Sequence, residues 1–233
     1  MITITDLRCV YDHKVAVDIP SFSFAPGIHG IVGLNGAGKS TLLNALYGFG
    51  RNAEARLTWN GENMSHRNTA FLETDDYFHP GITGREYLEL FMSGPGTTDV
   101  LQLNVLLEVP LDGLITTYST GMKRKLALLG VLSLDRTVVL LDEPMNGLDL
   151  ASVRVLEAII KRLAERERTV LITSHVLGPL ISLCDLVHLQ VSGRISRSFD
   201  RDMTTDLETE LFGDLDQRTQ EAIARWEGGS EAS

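Results

Sequence analysis

Apolar and polar positions alternate along two runs at the start of the chain, residues 2–11 and 15–24, and the second run stops at Pro26-Gly27. A period of two marks strands that bury one face, and a Pro-Gly pair ends them. Residues 28–32 are continuously apolar, as in a strand covered on both faces. From Gly38 the period changes, and Leu42, Leu43 and Leu46 fall on one side of a helix. Residues 56–59 followed by Asn60-Gly61 predict a hairpin, and 69–72 predict another buried strand. Helical spacing returns over 84–107, interrupted at Gly94-Pro95-Gly96, which predicts a small helical insert. Ser119 then caps a helix that runs to about Leu132.

The second half alternates strand and helix, with strands at 137–141, 169–173 and 186–190 and helices at 151–164 and 176–183. That succession favours a mostly parallel sheet with helices on its faces, a three-layer α/β core. Ser192-Gly193-Arg194 turns into a last strand, and one or two amphipathic helices are expected around Leu207 and Trp226. The segment after Trp226 has almost nothing apolar to bury and is expected to be mobile.

Composition narrows the class. The chain has 233 residues, 43% of them hydrophobic, enough for one compact domain. Its 21 Lys+Arg against 31 Asp+Glu give a net charge of −10, opposite to that of proteins that hold nucleic acid by general positive charge. No stretch reaches the roughly 18 to 20 apolar residues that a membrane helix needs. The start MITITDLRCVYD lacks the basic and apolar parts of a signal peptide, so a cytosolic chain held at a membrane only through a partner is expected. Cys9 and Cys184 lie in apolar segments without Cys-x-x-Cys spacing, which reads as reduced core thiols.

Two segments carry chemistry. Gly33-Leu34-Asn35-Gly36-Ala37-Gly38-Lys39-Ser40 fits the pattern Gly, four residues, Gly, Lys, Ser or Thr, after an apolar strand and before a helix. Glycines let backbone N–H groups wrap a triphosphate, so Asn35 through Thr41 form the candidate cradle. Lys39 reaches the outer phosphates and Ser40 offers a hydroxyl to Mg²⁺. The second segment is an apolar strand ending in Asp142-Glu143-Pro144. Asp142 suits the magnesium shell, and Glu143 is placed to orient and deprotonate a water attacking the γ phosphate. The acidic strand is expected beside the phosphate-loop strand.

Shortly before that strand stands Tyr118-Ser119-Thr120-Gly121-Met122, and after it come Asn146-Gly147-Leu148-Asp149 and Thr173-Ser174-His175. In this order the motifs resemble the ATP-binding-cassette (ABC) ATPase family, whose signature, D-loop and switch histidine they match. The resemblance implies an α/β P-loop NTPase, an ABC ATPase fold with a RecA-like core, an antiparallel β subdomain and a small helical subdomain at about 80–134. It implies one domain over 1–213, then a C-terminal helix and flexible tail over 214–233. It further implies a head-to-tail sandwich of two subunits around two Mg-ATP, as a homodimer or heterodimer. In that sandwich Ser119 and Gly121 of one chain serve the ATP of the other. His175 would steady the attacking water, Asp149 would organise the interface, and Tyr11 would stack on adenine. Ser119 and Asp149 also read as plain helix caps, and Tyr11 as sheet packing.

Several positions depart from the family pattern. The glutamine expected after the strand at 69–72 is matched to Glu73, read as a magnesium ligand in the loop that senses a membrane partner. Tyr118, Thr120 and Met122 replace the usual signature residues and look like the version in ABC-2-type exporters, whose ATPases are separate chains. The resemblance therefore implies a peripheral subunit on the cytoplasmic face of the membrane, bound to a polytopic permease and exporting a peptide, lipid or drug-like substrate. The permease contact is expected over 73–80 and near Tyr87 and Phe91, where Tyr77 and Phe78 form a docking groove or pack under the insert. Lys123, Arg124 and Lys125 are read as a solvated helix face, with no nucleic-acid partner. The competing reading is a soluble ABC ATPase with an assembly or regulatory role.

Overall fold

The computed structural model describes residues 1–50, 52, 54–94 and 96–228. Pro95 and residues 229–233 of the expected tail lie outside the described residues. Strands β1 (Ile2–Tyr11), β2 (Lys14–Phe24), β4 (Arg56–Trp59) and β5 (Glu62–Asn63) form an antiparallel sheet in the order β2-β1-β4-β5. The burial alternation of β1 changes phase between Ile4 and Leu7, and Asp6 sits there with φ 53°. Its partner β2 changes phase opposite, so both strands keep their apolar residues on one face through the kink.

The larger sheet has the order β10-β9-β3-β8-β7-β6, built from β3 (Gly27–Val32), β6 (Thr69–Leu72), β7 (Val138–Asp142), β8 (Thr169–Thr173), β9 (Leu186–Val191) and the antiparallel edge β10 (Arg194–Phe199). Strands β6, β7 and β8 are buried along their whole length, which is why they read as continuous apolar runs. Helix α1 (Lys39–Tyr47) lies between the sheets, its Leu42, Leu43 and Leu46 packed with Ile2, Phe24, Ile31 and Leu140. Helices α5 (Leu150–Ala164) and α6 (Leu177–Leu183) cover the other face through Leu156, Ile160 and Leu180. The helical insert comprises α2 (Gly84–Met92), α3 (Leu101–Leu107) and α4 (Thr120–Ser133). Thr83 and Glu86 form a reciprocal capping box that starts α2. The last element among the described residues is one helix, α7 (Thr204–Gly228), which runs through the boundary drawn at 213. No helix among the described residues is long and apolar enough to cross a membrane, and both cysteines are buried.

A buried histidine pair joins β3 to β9. His29 Nε2 donates to the Ala25 carbonyl at 2.8 Å, which leaves its Nδ1 to accept from His188 Nε2 at 3.0 Å. The Ser198 hydroxyl then donates to His188 Nδ1 at 2.7 Å, so both rings are satisfied only when neutral. Burial lowers both, and together with the adjacent His29 it takes His188 down to about 3. Unfolded histidines titrate near 6.5, so below that pH the unfolded chain binds protons that the folded pair refuses. Stability is therefore expected to fall as pH drops from about 6.5 toward 3, by up to about 1.4 kcal/mol per pH unit for each ring that stays neutral. Urea midpoints of wild type and His188→Leu at pH 7.5, 6 and 5 check this. The wild type should lose more than the variant, and equal losses would contradict it.

Candidate functional site

Three parallel strands end level with one another, since Ile31 of β3 pairs with Thr173 of β8, and Thr173 pairs with Asp142 of β7. The acidic strand is thus not beside β3 as expected: β8 separates them and contributes Thr173 and His175 to the same edge. Ligands of open parallel sheets bind at this carboxyl edge.

After β3 the chain wraps into the loop 33–38. Gly36 and Gly38 have φ of 81° and 101°, the left-handed region in which a side chain is strained. A Cβ at Gly38 would also strike the Ala16 carbonyl of β2, and one at Gly33 would strike the Gln190 carbonyl of β9. The loop is held there by Ala37 N–H to Leu34 O at 3.0 Å and by Gly193 N–H to Ala37 O at 2.9 Å. Buried Lys39 turns its ammonium back over the loop, donating to Gly33 O at 2.7 Å and Leu34 O at 3.4 Å. Gly38 starts α1 without a side-chain cap, which leaves the first N–H groups of the helix for an anion. Asn35 is exposed in the loop, Ser40 is exposed on the first turn and Thr41 half-buried behind it. Asn35 and His175 also line one cavity of about 200 Å³, with Leu211 and Phe212 of α7 on its far wall.

The carboxylates form a connected group. Asp142 is 2% exposed, and its two oxygens accept from the Thr173 hydroxyl and from Thr74 Oγ1, the latter at 2.7 Å. The same Thr173 oxygen accepts the Glu143 N–H at 3.0 Å. Glu143 has φ 48°, a strained conformation for a non-glycine residue that swings its carboxylate out of the line of β7. There it meets His175 Nδ1 at 2.9 Å.

Two positions differ from expectation, and an alternative left open by the sequence is resolved for Phe78. The carboxylate of Glu73 is exposed and makes no hydrogen bond or ion pair among the described residues; its neighbour Thr74 reaches Asp142 instead. Alternation along the short strand β6 does not fix which residue of the following loop turns inward, and in the structure that residue is Thr74. Arg124 is 3% exposed, not on a solvated face. Its guanidinium donates to the carbonyls of Glu73 at 2.5 Å and Asp142 at 2.6 Å, and it pairs with Asp76 at 2.8 Å. Phe78 packs on Tyr87 beneath the insert, rings 4.9 Å apart, while Tyr77 is 79% exposed.

At the signature, Ser119 Oγ accepts the Met122 N–H at 3.2 Å and caps α4. Gly121 lies so close to the Gly147 carbonyl that a Cβ would stand 2.7 Å from its oxygen. Asp149 caps α5 by accepting Ser152 N–H at 2.8 Å and pairs with Lys125 at 3.1 Å. Those Ser152 bonds, and then Lys125, hold its carboxyl down at about 2. Tyr118 is buried, and its hydroxyl donates to the carbonyls of Pro110 and Gly113. Tyr11 ends β1 half-exposed, its hydroxyl beside Gly50 beyond α1.

A glycine-wrapped lysine loop, an aspartate and glutamate at the end of a parallel strand, and a histidine after the intervening strand together define a P-loop ATPase of the cassette type. The family model described as ABC transporter matches residues 17–146, more than half of the sequence. The chain belongs to that family, as an ATP-binding cassette with the ABC ATPase fold. A putatively named ABC transporter ATP-binding protein of Treponema denticola is 29% identical over 216 residues, covering 89% of this chain and 44% of that protein. A fluoroquinolone-export ATP-binding protein of Mycobacterium tuberculosis is 32% identical, covering 87% of this chain and 68% of that one. The chain thus spans less than half of the Treponema relative. Among solved structures, a dimeric ATP-binding cassette in a post-hydrolysis state with ADP and Pi has a TM-score of 0.74 at 17% identity, covering 86% of this chain and 99% of that one.

Proposed function

We propose that this cassette hydrolyses Mg-ATP in a sandwich of two subunits and thereby drives a separate polytopic membrane permease, as the cytoplasmic-face engine of an exporter. The observation that supports the reading is the row Ile31, Thr173, Asp142 at one sheet edge, since the phosphate loop, Glu143 and His175 follow the strands that end there. In this reading Lys39 and the N–H groups of residues 35–41 hold the triphosphate, and Tyr11 offers its ring to adenine. Glu143 takes the proton of the attacking water and His175 keeps that carboxylate oriented. Ser119 and Gly121 sit at the N-terminus of α4 and serve the ATP of the second subunit, with Asp149 at the shared interface.

The oxygen donors fit magnesium. Ser40, Asp142 and Thr74 are hard ligands, and no group of three His, Cys, Asp or Glu forms a metal cage among the described residues. Mg²⁺ would be held by these oxygens, a single carboxylate among them, together with waters and substrate phosphates. Bound there, the ion would supply charge neutralisation to the phosphates. Thr74 takes the place in that shell first assigned to Glu73.

The export direction is supported by the Tyr118 to Met122 signature and by the likeness to an export ATPase; the substrate class is peptide, lipid or drug-like. Mild-detergent purification of the tagged chain from its native membranes tests the partner. A stoichiometric polytopic membrane protein is the expected co-purifying species. Recovery of soluble partners alone would favour an assembly or regulatory ATPase.

A further inference from the structure

We infer that Arg124 is a positioning residue for hydrolysis, because its buried guanidinium clamps the loop carrying Thr74 to the strand end carrying Asp142 and Glu143. The inference rests on the ATPase reading above. One nitrogen, Nη1, donates to Glu73 O at 2.5 Å and Asp76 Oδ1 at 2.8 Å, with Thr74 O at 3.4 Å. The other, Nη2, donates to Asp142 O at 2.6 Å and Glu143 O at 3.1 Å. Each side of the fork therefore grips a different segment, and each segment delivers one side chain to the site: Thr74 to Asp142, and Glu143 to His175.

The placement joins two ends of the machine. Arg124 lies about one and a half turns after Ser119 on α4, and a helix moves as a rigid rod over that distance. Seating of the Ser119 end against the second subunit's γ phosphate is thereby carried to the backbone of Asp142 and Glu143. Stability alone does not account for the residue. Its Nε is buried without a partner among the described residues, a cost that an apolar side chain would avoid. Replacing buried ion pairs by apolar residues is often neutral or stabilising.

Arg124→Lys keeps the charge and loses the fork, since one ammonium cannot span both segments. Asp76→Asn loosens the loop side only. After wild-type turnover and its loss in Glu143→Gln have been established, steady-state ATPase, magnesium dependence and binding of a fluorescent ATP analogue are compared. For Arg124→Lys we expect kcat to fall about tenfold or more and the half-saturating Mg²⁺ to rise, with nucleotide affinity within about threefold. Asp76→Asn should move the same two quantities in the same direction by less. Folded variants with lowered melting temperature but kcat and Mg²⁺ dependence within about twofold of wild type would overturn the inference, leaving a structural ion pair. If Arg124→Lys does not fold, Asp76→Asn decides by the same readings.

Discussion

Glu143→Gln should slow ATP hydrolysis by at least about a hundredfold while leaving ATP affinity within about threefold, the usual contribution of a positioned general base. The amide keeps the size of the side chain and can still hydrogen-bond His175, so the geometry at 2.9 Å survives. It cannot accept the proton of the attacking water. Asp142 keeps both of its hydroxyl partners, Thr173 and Thr74, so the loss falls on proton transfer alone. Phosphate release and fluorescent-nucleotide titration separate the two effects. Wild-type turnover in the variant would remove Glu143 from the reaction.

The second large effect is expected at the phosphate loop, where Gly38→Ala should weaken ATP binding by up to about a hundredfold. Two costs coincide at this position: a φ of 101° and a backbone carbonyl, that of Ala16, which the new methyl would strike. Backbone cannot rotate aside as a side chain can, so the loop must move, and its N–H groups leave their inward aim. Gly36 supplies the internal comparison. It has φ 81° but open space around it, so Gly36→Ala should cost less than Gly38→Ala. Equal losses in nucleotide titrations would mean that the close approach to β2 does not matter.

Much of this frame was legible in the residues. The strands at 69–72 and 169–173 match β6 and β8, because fully buried parallel strands leave uninterrupted apolar runs between breakers. The motifs singled out in the sequence, the phosphate loop, Asp142-Glu143 and His175, follow strands that end at one sheet edge, and His175 meets Glu143 there. What stayed hidden depends on contacts between distant segments. The charge of Arg124 suggested solvent, yet its spacing to Leu128 and Val131, at i+4 and i+7, lies on the buried face of α4. That phase was the available signal. Thr74 gave none, since a threonine in a polar loop reads like any other. The His29 and His188 pair joins residues 159 apart in sequence, beyond the reach of local pattern. Strand order was missed for the same reason: sequence puts β7 before β8, and the neighbour of β3 is set by pairing with the distant β8.

The composite site is the central claim, and mixing two defective chains tests it most directly. Lys39→Ala removes the phosphate contact within a chain, and Ser119→Arg blocks the signature offered to its partner. Each variant alone should lack ATPase activity. An equimolar mixture should recover it, since half of the random dimers are mixed and each holds one intact pair of Lys39 and Ser119. Full activity of Ser119→Arg on its own, with the mixture no faster than the mean of its components, would show that each chain hydrolyses ATP by itself.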